Sequence, residues 1–226
     1  MTMNSKASQL SPRLALCASY VRQGSVVADI GTDHALLPVW LVRSGRAVRA
    51  VASDINEGPI ERARLNVSRN DLNDRISTIV ADGLAGIDPT QVDDIVIAGM
   101  GGDLIAAILG AAPWTKDSRY RLILQPMSHA ERLREYLFTS GFAIEQEQAV
   151  RDSGRVYSVM CASYTGSVSH TDAMLYGGLL IGSEDDSARE YLERTVNSLR
   201  VRAAGLRAAG DEQGALRCED IAQALG

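Results

Sequence analysis

A chain of 226 residues has room for one full α/β domain and a small appendage, and none for two catalytic domains of ordinary size. Its 46% apolar and 23% charged residues allow a sizeable core and exclude global disorder. The net charge of -5 excludes general polyanion binding, which needs many cations, while leaving room for a local basic face.

The first segment, up to Gly24, carries its apolar residues between Leu10 and Tyr20 with Arg13 among them. That stretch is too short and too interrupted for a secretory signal, so a cytoplasmic location is expected. From about residue 25 short β-branched runs alternate with amphipathic stretches, the pattern of βαβ units feeding a parallel sheet. The predicted strands are Val26 to Ile30, Ala47 to Asp54, Ile76 to Val80, Asp94 to Gly99 and Tyr120 to Gln125. Most are continuous apolar runs, as strands covered on both faces must be.

Between them, a helix is expected to begin at His34, with Thr32 or Asp33 able to cap it, and another from Pro59 through Asn70, where proline is tolerated in a first turn. Further helices are expected from Gly102 towards Pro113 and from His129 to Ser140, before Gly141. After Gly141 the pattern changes. Phe142 to Val150 and Arg155 to Tyr164, joined by the turn-rich residues 151–154, read as an antiparallel hairpin. A dinucleotide fold would continue with more βα units, whereas Rossmann-like methyltransferases close a seven-stranded, mostly parallel sheet with a reversed strand placed by such a hairpin.

A boundary is expected near Ser167, dividing a Rossmann-like unit (residues 1–166) from a helical one (167–226). Beyond it, Leu192, Val196, Leu199, Ala203 and Leu206 recur at spacings of four and three and form one apolar seam. Glu190 and Arg194 make a favourable i, i+4 pair on that helix. Gly210 to Gly214 supplies a turn, and Ala215 to Leu225 returns as a second helix, giving an antiparallel coiled-coil hairpin. A monomer or weak dimer is expected.

Cys17, Cys161 and Cys218 are widely spaced without a CxxC pair, and His34, His129 and His170 are scattered, so neither a disulfide framework nor a metal site is suggested. The longest apolar stretches fall short of the roughly 20 residues that cross a bilayer.

The chemistry is concentrated at the strand ends. Asp29-Ile30-Gly31-Thr32-Asp33-His34 places a glycine in the first βα turn, where backbone approaches a ligand closely. It is a poor pyrophosphate loop, because Asp33 stands where a dinucleotide fingerprint needs an uncharged position. S-adenosylmethionine has no phosphate and carries a sulfonium cation, so Asp29 and Asp33 become helpful there. Asp54, twenty-five positions after Asp29 and followed by Ile55, can accept hydrogen bonds from the two ribose hydroxyls. Asp82 and Gly83 follow the third strand and suit the adenine amino group and ring. The fourth strand opens into Gly99-Met100-Gly101-Gly102, whose small residues leave room at the sheet edge. Gln125-Pro126 ends the fifth strand at the same edge, with an amide able to hydrogen-bond a base. The Asn/Asp-Pro-Pro-aromatic motif of many amino methyltransferases is missing.

Together, Leu10 to Leu14 (LSPRL), DIGTDHALLP, SDINEGPIERA, DGL at Asp82 to Leu84, IAGMGG and LILQP resemble the bacterial TrmK family of tRNA adenine N1-methyltransferases, over residues 10 to about 164. The resemblance implies methylation of N1 of the adenine at position 22 of tRNA and a Rossmann-like domain joined to a coiled-coil hairpin. Leu36 stands where the family usually has an aromatic, and Met127 where asparagine is commoner. On this reading the base's in-plane lone pair must be aligned with the activated methyl group, Asp33 stabilises the cationic ring or takes the proton leaving N6, and His34 assists. Arg13, Arg22, Arg43, Arg46 and Arg49 are the candidate tRNA contacts, with the helical tail as an extra arm. The residues alone leave open methyl transfer to another RNA base or a small molecule, and a non-catalytic RNA-binding protein that retains the fold.

Overall fold

A computed structural model describes residues 10–226; the start of the expected 1–166 unit lies outside the described residues. In chain order the elements are α1 (Pro12–Tyr20), β1 (Ser25–Ile30), α2 (Leu36–Arg43), β2 (Ala47–Asp54), α3 (Glu57–Arg69), β3 (Ile76–Val80), β4 (Asp94–Gly101), α4 (Gly102–Gly110), β5 (Arg121–Ser128), α5 (Ala130–Thr139), β6 (Phe142–Asp152), β7 (Arg155–Tyr164), α6 (Asp172–Gly177), α7 (Asp186–Ala208) and α8 (Glu212–Leu225).

The strands form one seven-stranded sheet in the order β3-β2-β1-β4-β5-β7-β6. β1 to β5 pair in parallel, and β7 alone runs against its neighbours β5 and β6. This is the Rossmann-like methyltransferase fold that the closing hairpin predicted. The hairpin turn is tighter than expected. It consists of Ser153 (φ 50°) and Gly154 (φ 77°), the two left-handed residues of a turn whose twist matches that of the flanking strands.

The apolar runs bury against helices on both faces. Cys17, Leu37, Leu41 and Ala63 bring α1, α2 and α3 onto one face, while Ile105, Leu109, Leu133 and Leu137 bring α4 and α5 onto the other. The α1 helix was not read from the sequence; Ser11 caps it, with Pro12 as its first residue. Burial pushes the thiol of Cys17 up to about 12 and that of Cys161 up to about 11, as for inert core cysteines.

Residues 165–171 carry no helix or strand. Beyond them α7 and α8 pack as an antiparallel hairpin whose seam buries Leu192, Val196, Leu199 and Ala203 against Ala215, Cys218 and Ile221, with Leu206 half-buried at its end. Glu190 and Arg194 pair at 2.6 Å.

The root of this helical unit is joined to the sheet by a fully buried ion pair, Arg134 on α5 with Glu147 on β6 at 2.6 Å. Arg134 also donates to the carbonyl oxygens of Leu175 and Tyr176 and to the Tyr191 hydroxyl, while Glu147 accepts from Ser158 and from the Leu179 amide. Gly178 (φ 55°) lies so close that a Cβ there would stand 1.9 Å from Glu147 Oε2. Glu147→Gln leaves a buried guanidinium without its counter-charge, so a loss of about 3–5 kcal/mol is expected. Chemical denaturation measures it; a change within about 0.5 kcal/mol, as for an ordinary surface substitution, would remove the clamp from the account.

Among the described residues, no helix is long and apolar enough to cross a membrane, and no cluster of three or more His, Cys, Asp or Glu side chains is placed to hold a metal ion.

Candidate active site

Because β1 to β5 are parallel, their carboxyl ends share one edge, and the strand order reverses between β1 and β4, where open α/β sheets form a crevice. Asp29 and Gly31 come to this edge from β1, Asp54 and Ile55 from β2, Asp82 and Gly83 from β3, and Gly99 from β4. Pairing fixes them there: Ile30 lies beside Ser53 and Ile97, Asp54 lies beside Val80, and the amides of Gly31 and Thr32 both donate to the Ser53 carbonyl at 2.8 Å.

Asp29 is buried, at 7% exposure, with no salt-bridge partner among the described residues, and burial pushes its carboxyl up to about 6. A cation delivered into the crevice would relieve that cost. Gly31 (φ 74°) holds a left-handed conformation that strains any other residue, and a Cβ there would lie 2.0 Å from Met100 Cε, so the methionine would have to move. Met100, missed in the sequence, therefore covers the first turn from β4. Asp54 is half-buried and its Oδ1 accepts from the Asn56 amide at 2.8 Å, which orients the carboxylate at the strand end. Ile55 is 59% exposed at the same edge. Asp82 is exposed, and Gly83 (φ 54°) would bring a Cβ within 3.1 Å of Ile108. The Ser53 hydroxyl is buried without a hydrogen-bond partner among the described residues. A buried unpaired carboxylate, two outer carboxylates, apolar Ile55 and turns where added side chains would collide fit a cationic nucleoside such as S-adenosylmethionine.

The neighbouring mouth is built around Gln125, which is fully buried. Its Oε1 accepts from Arg13 Nη1 at 2.7 Å and from the Gly99 amide at 3.0 Å, and its Nε2 donates to the Pro126 carbonyl at 2.8 Å. This corrects the expectation that Gln125 contacts a base: its amide is fully engaged, and it holds Arg13 instead. Gly99 (φ 83°) is a bulge residue, since pairing passes from Ala98–Gln125 to Met100–Pro126 and frees its amide for the glutamine. Arg13 is held further by Asp152 at 3.5 Å and lies over the Tyr157 ring, 5.9 Å from its centroid. Neither Asp152 nor Tyr157 carried a local sequence signal, being more than 130 positions from Arg13.

Pro126 lies inside β5 opposite Met100. Gly101 approaches Ser128, where a Cβ would stand 3.3 Å from its Oγ. Gly102 does not open onto the mouth: it is buried, and a Cβ would stand 2.1 Å from the His129 carbonyl, so its small size serves the packing of α4 against the start of α5.

Asp33 is exposed and pairs with Arg62 at 3.3 Å and with His34 Nε2 at 3.4 Å. His34, expected to begin a helix, instead sits in a left-handed turn with Ala35 (φ 60° and 50°) ahead of α2, its carbonyl held by Asn66. Leu36 and Met127 are exposed at the same edge.

Of the five arginines expected to meet tRNA, only Arg13 is at this mouth. Arg22 bonds to Asp94 at 2.6 Å and to the carbonyls of Asp93 and Arg119 at the start of β4, and Arg46 donates to the carbonyls of Ser19 and Val21. Arg43 donates to Asn70 at the end of α2, and Arg49 lies near the start of β2. These four belong to the opposite, amino-terminal edge, where Arg22 and Arg46 satisfy backbone carbonyls.

A family model described as a methyltransferase domain matches residues 10–160. The tRNA (adenine(22)-N(1))-methyltransferase of Bacillus subtilis is 40% identical over 175 residues, covering 77% of this chain and 74% of that one. The chain belongs to the TrmK family of tRNA methyltransferases. The crystal structure of the family's B. subtilis member superposes with a TM-score of 0.86 at 32% identity, covering 96% of this chain and 97% of that one. A Streptococcus pneumoniae member in complex with S-adenosyl-L-methionine superposes with a TM-score of 0.81 at 33% identity, covering 96% and 100%. The coverage extends across the C-terminal helices, so the family's architecture includes the α6–α8 unit.

Proposed function

We propose that this chain transfers a methyl group from S-adenosylmethionine to N1 of an adenine in tRNA, the adenine at position 22 named for its B. subtilis relative. The observation that carries the proposal is the row of carboxylates along the carboxyl edge of β1 to β3 beside a mouth organised around Arg13 and Gln125, in a chain of this family. S-adenosylmethionine supplies the electrophilic methyl. Asp29 and its neighbours hold the cationic end, Asp54 takes the ribose hydroxyls, and Ile55, Asp82 and Gly83 take the adenine. Residues 1–166 then form the methyl-transfer unit and residues 167–226 an RNA arm. The seam of α7 is filled by α8 of the same chain, which supports a monomer or weak dimer. A tRNA substrate supports a cytoplasmic location.

The target base has to leave stacking so that N1 can face the methyl group, at about a few kcal/mol by analogy with base flipping. Exposed Leu36 and Met127 offer it an apolar surface in place of an aromatic one. Asp33, steadied by Arg62 and His34, faces the ring that becomes cationic and takes the proton leaving N6. Asp33→Asn is expected to lower kcat by roughly 100-fold with unchanged cofactor affinity. Unchanged turnover in single-turnover kinetics would remove this role.

Incubating the protein with S-adenosylmethionine and unmodified tRNA, followed by nucleoside mass spectrometry, is expected to yield 1-methyladenosine. Another methylated nucleoside, or none, contradicts the proposal.

A further inference from the structure

A groove of about 460 Å³ runs from Pro126 and Met127, at the end of β5, along the face of α7. That volume is within the roughly 300–1,000 Å³ of ligand sites. It is continuous with the mouth through two residues: Pro126, whose carbonyl is held by Gln125, and Tyr157, over which Arg13 lies. We infer that this groove seats the RNA strand flanking the target adenine, with Arg194 and Arg202 on its phosphates; the inference rests on the tRNA reading above.

Charge favours this occupant. Among the described residues, the only carboxylate lining the groove is Glu131, which is engaged by His129 at 3.4 Å. Arg194 shares Glu190 with Arg151, so two cations face one anion there. Arg202 has no carboxylate partner among the described residues and reaches only the Tyr176 hydroxyl, at 3.4 Å. The two arginines are eight positions apart on α7, roughly 12 Å along the helix. Tyr157, Tyr176 and Tyr191 line the same groove, and aromatic rings beside arginines suit an unstacked strand better than a protein or lipid partner.

The groove is also preformed. Its walls come from β5, β7 and α7, with the start of α5 and Tyr176 of α6, and both β7 and α7 are fastened to the buried Arg134–Glu147 pair: Ser158 on β7 donates to Glu147, and Tyr191 on α7 accepts from Arg134. Little ordering is left for the moment of binding.

The test is the Kd for unmodified tRNA, measured by filter binding over a range of salt, for Arg194→Met, Arg202→Met, the double variant and Arg200→Met. Arg200 lies on the same helix beside Val196 and Asn197, outside the groove, and controls for net charge. Each groove arginine that neutralises a phosphate contributes about 0.7–0.9 to the slope of log Kd against log salt. The double variant is expected to show a slope shallower by about 1.5 and an affinity about tenfold weaker, while Arg200→Met matches the wild type and S-adenosylmethionine affinity is unchanged throughout. A double variant with the wild-type slope, or an equal effect from Arg200→Met, overturns the inference while wild-type methylation of tRNA still stands. A wild type that leaves tRNA unmethylated overturns the functional reading and this inference with it.

Discussion

Asp29→Asn is expected to weaken S-adenosylmethionine binding by roughly 100-fold and, at about pH 7.5, to raise the thermal midpoint of the ligand-free protein. Both effects follow from one buried carboxyl. Its pKa rises from 3.8 to about 6 because burial disfavours the charged form. A group raised in this way contributes stability that is fully present below its unfolded value and is lost as pH rises through the folded one. Between about pH 4 and pH 6 the wild type should therefore lose on the order of 2–3 kcal/mol that the neutral asparagine does not lose. The midpoint of the variant at neutral pH should be about 5 °C higher, with that step absent from its pH profile. With the proposed role of Asp29 in holding the cationic end of the cofactor, the charged carboxylate is the binding form, so wild-type affinity should fall about tenfold per unit below about pH 6. Calorimetry across pH reads both quantities; a variant that binds normally places the cationic end of the cofactor elsewhere.

Gln125→Leu is expected to lower kcat/KM for tRNA by roughly 100-fold while S-adenosylmethionine affinity stays within about threefold. Leucine keeps a bulky apolar side chain of comparable volume in the buried position, one heavy atom shorter, and removes the acceptor shared by Arg13 and the Gly99 amide. Arg13 then retains only Asp152 and the Tyr157 ring, and the β4 bulge loses the bond that sets it. The two unpaired donors should also lower stability by about 1–3 kcal/mol each where they remain buried. Steady-state kinetics with saturating cofactor, together with a cofactor titration, separates the alternatives. If cofactor binding collapses and tRNA kinetics do not, Gln125 supports the wrong half of the site.

The sheet was legible because its strands are covered on both faces and so are written as continuous apolar runs, with aspartates and glycines at their ends. The acids Asp29, Asp54 and Asp82 were legible for the same reason, since a parallel sheet carries every strand end to one edge. The strand β5 ran further than expected because Pro126 needs no amide partner opposite the β4 bulge. Sidedness was harder to read. Arg22 and Arg46 have the composition of RNA contacts, but nothing local records that the chain places them at the far edge, satisfying carbonyls. The partners of Arg13 come from β5 and the β6–β7 hairpin, and a pairing across such separations leaves no periodicity to find. Gly102 looked like an open mouth because a glycine reads alike whether it makes room for a ligand or for a neighbouring backbone.

The most direct test of the account compares two tRNA transcripts identical except for adenine or guanine at the position corresponding to 22 in the B. subtilis relative's name, each incubated with S-adenosylmethionine and mapped by mass spectrometry of nuclease fragments. One methyl group on N1 of that adenine, and none on the guanine transcript, is the expected result. Equal methylation of both, or none on either by a protein that binds the cofactor, would contradict it.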